Sequence, residues 1–306
     1  MRDFQQIEWN DAVADECRRI VRAAKDEDLA GQCDWTTAAL VPGDAVGRAA
    51  VVTRQAGVVA GLPAGRIALA EYDPQAKWTE LAGDGDAVAA GQRLAIMESS
   101  ARSLLAAERV VLNLMGRLSG IASLTAKFVA ATAGTKAHVY DTRKTTPGWR
   151  LLEKYAVRCG GGRNHRLGLY DAVLIKDNHL VVGAEARGGE HYTPGEAVRR
   201  VREFIAGAWV GRPAPAIIEV EVDLLEQLAE VLAEEPDIVL LDNMTPLQLS
   251  TAVAMRDAAT PRVELEASGG VRLETVGVIA RTGVERVSAG ALTHSAIWLD
   301  IGLDWD

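Results

Sequence analysis

Cysteine is scarce. The 306 residues hold three, Cys17, Cys33 and Cys159, with no Cys-x-x-Cys spacing. An odd, scattered set excludes a disulfide framework and fits reduced thiols in a cytoplasmic protein. Long apolar runs are missing too. No stretch approaches the ~20 consecutive apolar residues of a membrane span. The opening MRDFQQIEWND has acidic groups and no apolar core, so it is not expected to act as a secretory signal. Positive charge is in deficit: 33 Lys and Arg face 42 Asp and Glu, a net charge of −9. That balance argues against non-specific binding of nucleic acid or of an anionic membrane, but leaves room for a local cationic pocket. The seven tryptophans are dispersed and read as packing residues rather than platforms for bases.

What is present suits an ordinary globule. Hydrophobic residues make up 48% and charged ones 25%, enough for one large domain or a large one with a smaller companion. From about residue 137, short apolar runs alternate with helical patterns. The runs are AHVYD (137–141), DAVLIK (171–176), AIIEVEV (216–222), DIVLLDN (237–243), VELEAS (263–268) and RVSAG (286–290). Each has the length and branched content of a buried strand. Thr193-Pro194-Gly195-Glu196 has capping-box spacing with Pro at the first helical position, and Thr245-Pro246 opens another helix the same way. Serial βα units imply parallel strands with right-handed crossovers, either an α/β barrel or a doubly wound sheet. Residues 38–100 instead read as short strands separated by Gly and Asp-Gly turns, and 100–132 as one long helix. Residues 183–191 form a polar, Gly-rich loop.

Polar residues gather at the C-terminal ends of the six runs: Asp141, Thr142, Arg143 and Lys144; Lys176 to His179; Glu219 and Glu221; Asp242 and Asn243; Ser268 to Gly270; Gly290. In a parallel barrel these ends share one face, where active sites are built. A purely structural set would scatter over both ends. From Asp141 to His179 eight basic residues face four acidic ones, a local surplus of +4. Arg150, Lys154 and Arg158 follow helical spacing and read as a solvated face. Arg143, Lys144, Arg166 and Lys176 do not, and clustered Arg suits capture of carboxylate or phosphate. CGGGRNHR (159–166) puts cations directly behind the most flexible backbone of the chain. Its glycines let the backbone pass close to a ligand or a neighbouring strand, or cap a helix. The turns Ser268-Gly269-Gly270 and Ala289-Gly290-Ala291 follow the last two strands, a common phosphate site in barrels. Glu221 and Asp242 end adjacent strands and suit a divalent cation bridging to phosphate. Alternation puts Glu219 and Glu221 on one face, leaving open which is nearer the ligand.

These residues carry a resemblance. AAERVVLNLMGRLSGIASLTA, DTRKTTPGWRLLEKYAV, GGGRNHRLGLYDAVLIKDNH, EVEVD, LLDNM, ASGGV and SAGALTHS are similar, in order, to motifs of the quinolinate phosphoribosyltransferases and cover most of residues 100–296. Ser100, where Gly is expected, and a longer 183–215 region depart from the pattern. The resemblance implies an open six-stranded, TIM-like α/β barrel (113–295) behind an N-terminal α/β sandwich (1–112), with 296–306 packing back on the sandwich. It implies transfer of phosphoribosyl from phosphoribosyl pyrophosphate to quinolinate with Mg²⁺, giving nicotinate mononucleotide, pyrophosphate and CO₂. Arg143, His165, Arg166 and Lys176 would hold the quinolinate carboxylates, with Thr142 against the substrate. Lys144 would lie near the pyrophosphate, and Glu221 and Asp242 at the ribose and metal. Ser268, Gly269, Gly270, Ala289, Gly290 and Ala291 would take the 5′-phosphate. Arg109 would complete the site of a second copy in a homodimer. A Schiff-base enzyme using Lys144 or Lys176 is disfavoured, because neighbouring carboxylates such as Asp177 raise a lysine's pKa.

Overall fold

The computed structural model describes residues 3–183, 188–212 and 214–306, so residues 184–187 of the expected 183–191 loop lie outside it. In chain order the elements are α1 (Asp11–Leu29), α2 (Trp35–Leu40), β1 (Val46–Thr53), β2 (Gly57–Val58), α3 (Leu62–Tyr72), β3 (Lys77–Glu80), β4 (Ala87–Val88), β5 (Arg93–Ser100) and α4 (Ala101–Ala131). There follow β6 (His138–Tyr140), α5 (Arg150–Cys159), β7 (Val173–Ile175), α6 (Asp177–Gly183), α7 (Pro194–Ala208), β8 (Ile218–Val222), α8 (Leu225–Ala233), β9 (Ile238–Asp242), α9 (Pro246–Ala259), β10 (Glu264–Ser268), α10 (Leu273–Ala280), β11 (Arg286–Ser288), α11 (Ala291–His294) and β12 (Ile301–Trp305).

The fold is two compact units. The barrel unit comprises the first residues to Gln6, then Phe128–Arg143 and Arg163–Ala291. The sheet unit comprises Ile7–Lys127, Lys144–Gly162 and Leu292–Asp306. The division is therefore interleaved rather than a linear cut near residue 112.

All six apolar runs of the barrel unit are strands. They form one parallel sheet, ordered β6-β11-β10-β9-β8-β7, in which β6 and β7 are the two ends. The sheet is thus open rather than closed by a β6–β7 pairing. Val139, Val220, Val239, Leu241, Leu265 and Val287 are buried at 2% exposure or less, as continuous apolar strands between helices require. The Thr193/Glu196 capping box is formed, and Thr245 caps α9 by accepting from Gln248 N. Among the described residues, no helix is long and apolar enough to cross a membrane.

In the sheet unit four antiparallel strands run β12-β1-β5-β3, and β2 pairs with β4. Helix α3 lies within the stretch expected to be strands and turns. Its start is made by a distant residue: Asp84, in the GDGD turn, accepts Gly61 N at 2.8 Å and Leu62 N at 3.0 Å, and also the Tyr155 hydroxyl at 2.7 Å. A cap supplied from 22 residues away leaves no local signal.

One expectation changes here. Arg150, Lys154 and Arg158 do not form a solvated face. Helix α5 buries Leu152 to Val157 on all sides, and Lys154 is fully buried. Arg150 and Arg158 are half-buried and bond to Thr145 Oγ1 at 3.1 Å and Gly162 O at 2.7 Å. The glycines of CGGGRNHR take the helix-capping reading. A Cβ at Gly160 would strike Ala122 O of α4, one at Gly162 would lie 2.7 Å from Thr125 Cγ2, and Gly161 turns the chain at φ +81°. The triplet ends α5 and lets its end lie against α4.

Candidate active site

The site is built from the open edge of β6. After α5 the chain returns alongside this strand. Arg163 N donates to Val139 O at 2.8 Å, and Asp141 N to Arg163 O at 3.0 Å. Asp141, fully buried, then grips the next two residues: its carboxylate accepts Asn164 Nδ2 at 2.6 Å and His165 N at 2.9 Å. The first polar residue of the DTRK motif thus orients the RNHR segment, a role that spacing alone could not show.

His165 is held through Nδ1 and faces two buried carboxylates with Nε2. Its Nδ1 accepts the Arg166 backbone N–H at 2.8 Å, so the proton of a neutral ring sits on Nε2. Nε2 lies 2.9 Å from Glu219 Oε2 and 3.6 Å from Glu266 Oε1. The imidazole thus lies between the Arg166 backbone and the Glu219 and Glu266 carboxylates. Glu219 and Glu266 are both fully buried. Burial, then the neighbouring Glu219 charge, raises the Glu266 carboxyl to about 7. A protonated Glu266 relieves the repulsion between them. Glu266 was not among the candidates, although Glu264-Leu265-Glu266 repeats the alternation of Glu219-Val220-Glu221 inside an apolar strand.

Above this layer lie the cations. Arg166, buried, donates through Nη1 to Ala172 O at 3.1 Å. Its pKa is lowered by burial and then by the like charge of Arg143, so the two guanidiniums are electrostatic neighbours. The Arg143 Nε is a buried donor with no hydrogen-bond acceptor among the described residues. Thr142 beside it is half-buried. Lys176, at the end of β7, ion-pairs with Glu221 on β8, and its N–H donates to His179 Nδ1 at 2.9 Å. Two like charges and an unpaired buried N–H suit a compact anion with more than one charged group.

The small-residue turns close this end of the sheet. Ser268 pairs in register with Asp242, whose carboxylate accepts Asn243 Nδ2 at 2.6 Å. Gly269 and Gly270 take φ +85° and +59°. A side chain at Gly269 would collide with Asn243, whereas nothing lies within 4 Å of a Cβ built on Gly270. Consecutive left-handed residues opening on free space before α10 form a backbone nest of the kind that cradles phosphate. Ala289 N donates to Tyr140 O at 3.0 Å, which sets Gly290 and Ala291 at the neighbouring strand end.

Lys144 and Arg109 belong to the sheet unit. Lys144 is exposed, and its carbonyl accepts Thr293 Oγ1 at 2.7 Å. Thr293 O in turn accepts Arg117 Nη2 at 2.7 Å, and Arg117 also pairs with buried Glu153 at 2.6 Å. The motif residues Arg117, Glu153 and Thr293 thus anchor the loop that carries Lys144. Arg109 is 75% exposed on α4 and pairs with Glu108 at 3.5 Å.

Comparison with known proteins agrees with this geometry. Residues 34–119 match the family described as quinolinate phosphoribosyl transferase, N-terminal domain, and 121–304 match its C-terminal domain. The nicotinate-nucleotide pyrophosphorylase (carboxylating) of Mycobacterium leprae is 46% identical over 299 residues, 96% of this chain and 99% of that protein. The mitochondrial quinolinate phosphoribosyltransferase (decarboxylating) 2 of Nicotiana glauca is 37% identical over 301 residues, 94% of this chain and 82% of that protein. The solved nicotinate-nucleotide pyrophosphorylase of Francisella tularensis is similar with a TM-score of 0.87 at 34% identity, covering 99% of this chain and 100% of that one. Both domains are matched in order along nearly the whole length, and the chain belongs to the quinolinate phosphoribosyl transferase family.

Proposed function

We propose that this protein transfers the phosphoribosyl group of phosphoribosyl pyrophosphate to the ring nitrogen of quinolinate, releasing pyrophosphate and CO₂ and forming nicotinate mononucleotide. The observation that carries the reading is the Arg143–Arg166 pair, with the unpaired buried Nε of Arg143. A dicarboxylate answers both charges and the orphaned donor. Lys176 gives a third cation, and Thr142 and His165 shape the pocket around the ring.

The backbone of Ser268, Gly269, Gly270, Ala289, Gly290 and Ala291 would hold the 5′-phosphate. Glu221 and Asp242 would face the ribose, and Lys144 the pyrophosphate. The bond from the ribose carbon to pyrophosphate breaks as the ring nitrogen attacks, and held orientation plus fixed positive charge lower this barrier. The alkylated nitrogen is cationic and takes up the electron pair left when the adjacent carboxylate departs, so the substrate is its own electron sink. A proton then replaces CO₂ on the ring carbon.

Glu221 and Asp242 suit Mg²⁺, being two hard carboxylates at the ends of neighbouring strands that leave coordination positions for substrate oxygens. When bound, the ion neutralises charge on the leaving pyrophosphate. Arg109, exposed on α4, would complete the site of a second copy in a homodimer. Three free cysteines fit a reducing, cytoplasmic setting.

The test is product formation from quinolinate and phosphoribosyl pyrophosphate with Mg²⁺, beside a reaction in which nicotinate replaces quinolinate. Mononucleotide and CO₂ from quinolinate only are expected. Turnover of nicotinate alone, or of neither, would overturn the dicarboxylate assignment.

A further inference from the structure

The first residues described, Asp3 to Gln6, are not part of any helix or strand, yet Asp3, Phe4 and Gln6 are each tied to the barrel unit by side-chain contacts. Phe4 is 4% exposed. One face of its ring stacks on His165, with centroids 4.3 Å apart and planes 29° from parallel. The Arg286 guanidinium lies 5.4 Å from the same ring and 4.6 Å from that of Tyr140. The Asp3 carboxylate pairs with Arg286 at 3.2 Å and Arg163 at 3.1 Å, and accepts the Tyr140 hydroxyl at 3.1 Å. The Gln6 amide bonds both ways to the backbone of Asn164, giving to its O at 3.1 Å and taking its N–H at 2.9 Å. Phe4 also packs with Tyr140, Ala172, Ile217 and Ile238.

We propose that this N-terminal arm positions the dicarboxylate clamp, with Phe4 as the residue that sets the attitude of the His165 ring. The identity of the ligand rests on the function proposed above. The contacts of Nδ1 and Nε2 lie at the edges of the His165 ring, and Phe4 covers a face. A tilt of the ring breaks the bond from Arg166 N to Nδ1 and so moves the Arg166 backbone. Gln6 and Asp3 hold the two residues just before that joint, Asn164 and Arg163. Phe4 acts through His165 and is a positioning residue.

The test uses the full chain with Phe4→Leu, which keeps apolar bulk but loses the ring, and Phe4→Tyr, which keeps the ring. Ring ¹³C labelling of the five histidines gives five resonances, and His165 is displaced by the ring current of Phe4. In Phe4→Leu the His165 resonance moves, KM for quinolinate rises about ten-fold, the scale of a lost aromatic contact, and KM for phosphoribosyl pyrophosphate changes by less than about two-fold. Phe4→Tyr restores both. An unmoved resonance, or a moved resonance with unchanged quinolinate KM, overturns the proposal. If Phe4→Leu does not fold, Gln6→Ala must raise the same KM, and the proposal fails if it does not. If wild type makes no mononucleotide from quinolinate, the substrate assignment fails, while the histidine resonance still decides whether the arm sets the ring.

Discussion

At the scale of single residues, Arg143 is expected to matter by its shape as well as its charge. Arg143→Lys keeps the charge but loses the planar fork that meets a carboxylate with two bonds. It should lower kcat/KM for quinolinate about 10-fold, and Arg143→Ala about 100-fold, the range of charge-assisted hydrogen bonds. Steady-state kinetics with each substrate varied in turn would check this, and the phosphoribosyl pyrophosphate KM should stay near the wild-type value. Glu266 makes a different prediction. Its folded pKa is raised from 4.5 to about 7 by burial and by Glu219, so between those values the folded chain holds a proton that the unfolded chain has released. Stability contributed by this group is present below pH 4.5 and is lost as pH rises through about 7. Glu266→Gln should remove that dependence, and its melting temperature should exceed wild type at pH 8 by more than at pH 5. Scanning calorimetry at the two pH values would show it; an equal difference at both would refute a raised Glu266 pKa.

At the scale of elements, what local sequence encodes is what local chemistry controls. The Thr193/Glu196 box was readable because both partners lie within one turn, and Thr193→Ala should cost about 1 kcal/mol. The glycines show the limit. Gly120 lies inside α4, where Ala is intrinsically better by about 1 kcal/mol. Yet a Cβ there would collide with Ile297 O and lie 2.9 Å from Trp298 Cα, both of a crossing segment. Gly120→Ala should therefore destabilise by about 1–3 kcal/mol despite its propensity. Urea unfolding would check this, and a stabilised variant would show that the segment yields easily. The glycines of CGGGRNHR follow the same logic. Their position marks a close approach, but only the packed structure shows that they approach α4.

At the scale of the whole molecule, charge is less one-sided than the strand ends suggested. The N-terminal ends of the barrel strands also carry buried ions: Arg286 with Glu264 and Asp3, and Arg256 with Glu285 at 2.9 Å. The polar C-terminal ends are thus no unique mark of a site. What sets them apart is that Arg143 keeps an unpaired buried donor there, whereas Arg286 and Arg256 are held in ion pairs. Arg256→Ala leaves Glu285 with Lys136 and the Leu265 N–H as partners, so it should cost about 1–3 kcal/mol and leave the KM values of the folded protein unchanged, as melting and kinetics on the same sample would show. In the sheet unit, β12 covers one edge of β1 through five register pairs, Ala49 with Trp305 to Thr53 with Ile301. Deleting residues 299–306 should expose that edge and cause aggregation, visible by light scattering.

By itself the sequence determined the strand-helix alternation from residue 137, the parallel strands that follow from it, the cationic surplus behind β6 and the glycine turn after β10. Each of these is a pattern over a few neighbouring residues, set by side-chain period, turn chemistry or local charge. Tertiary structure decided the rest. It buried Lys154, gave α3 its cap from Asp84, set His165 against the buried Glu219 and Glu266, and brought Phe4 under a ring 161 positions away in the numbering. Those facts depend on which distant groups share a volume closed to water, where an unpaired polar group or a missing side chain costs most.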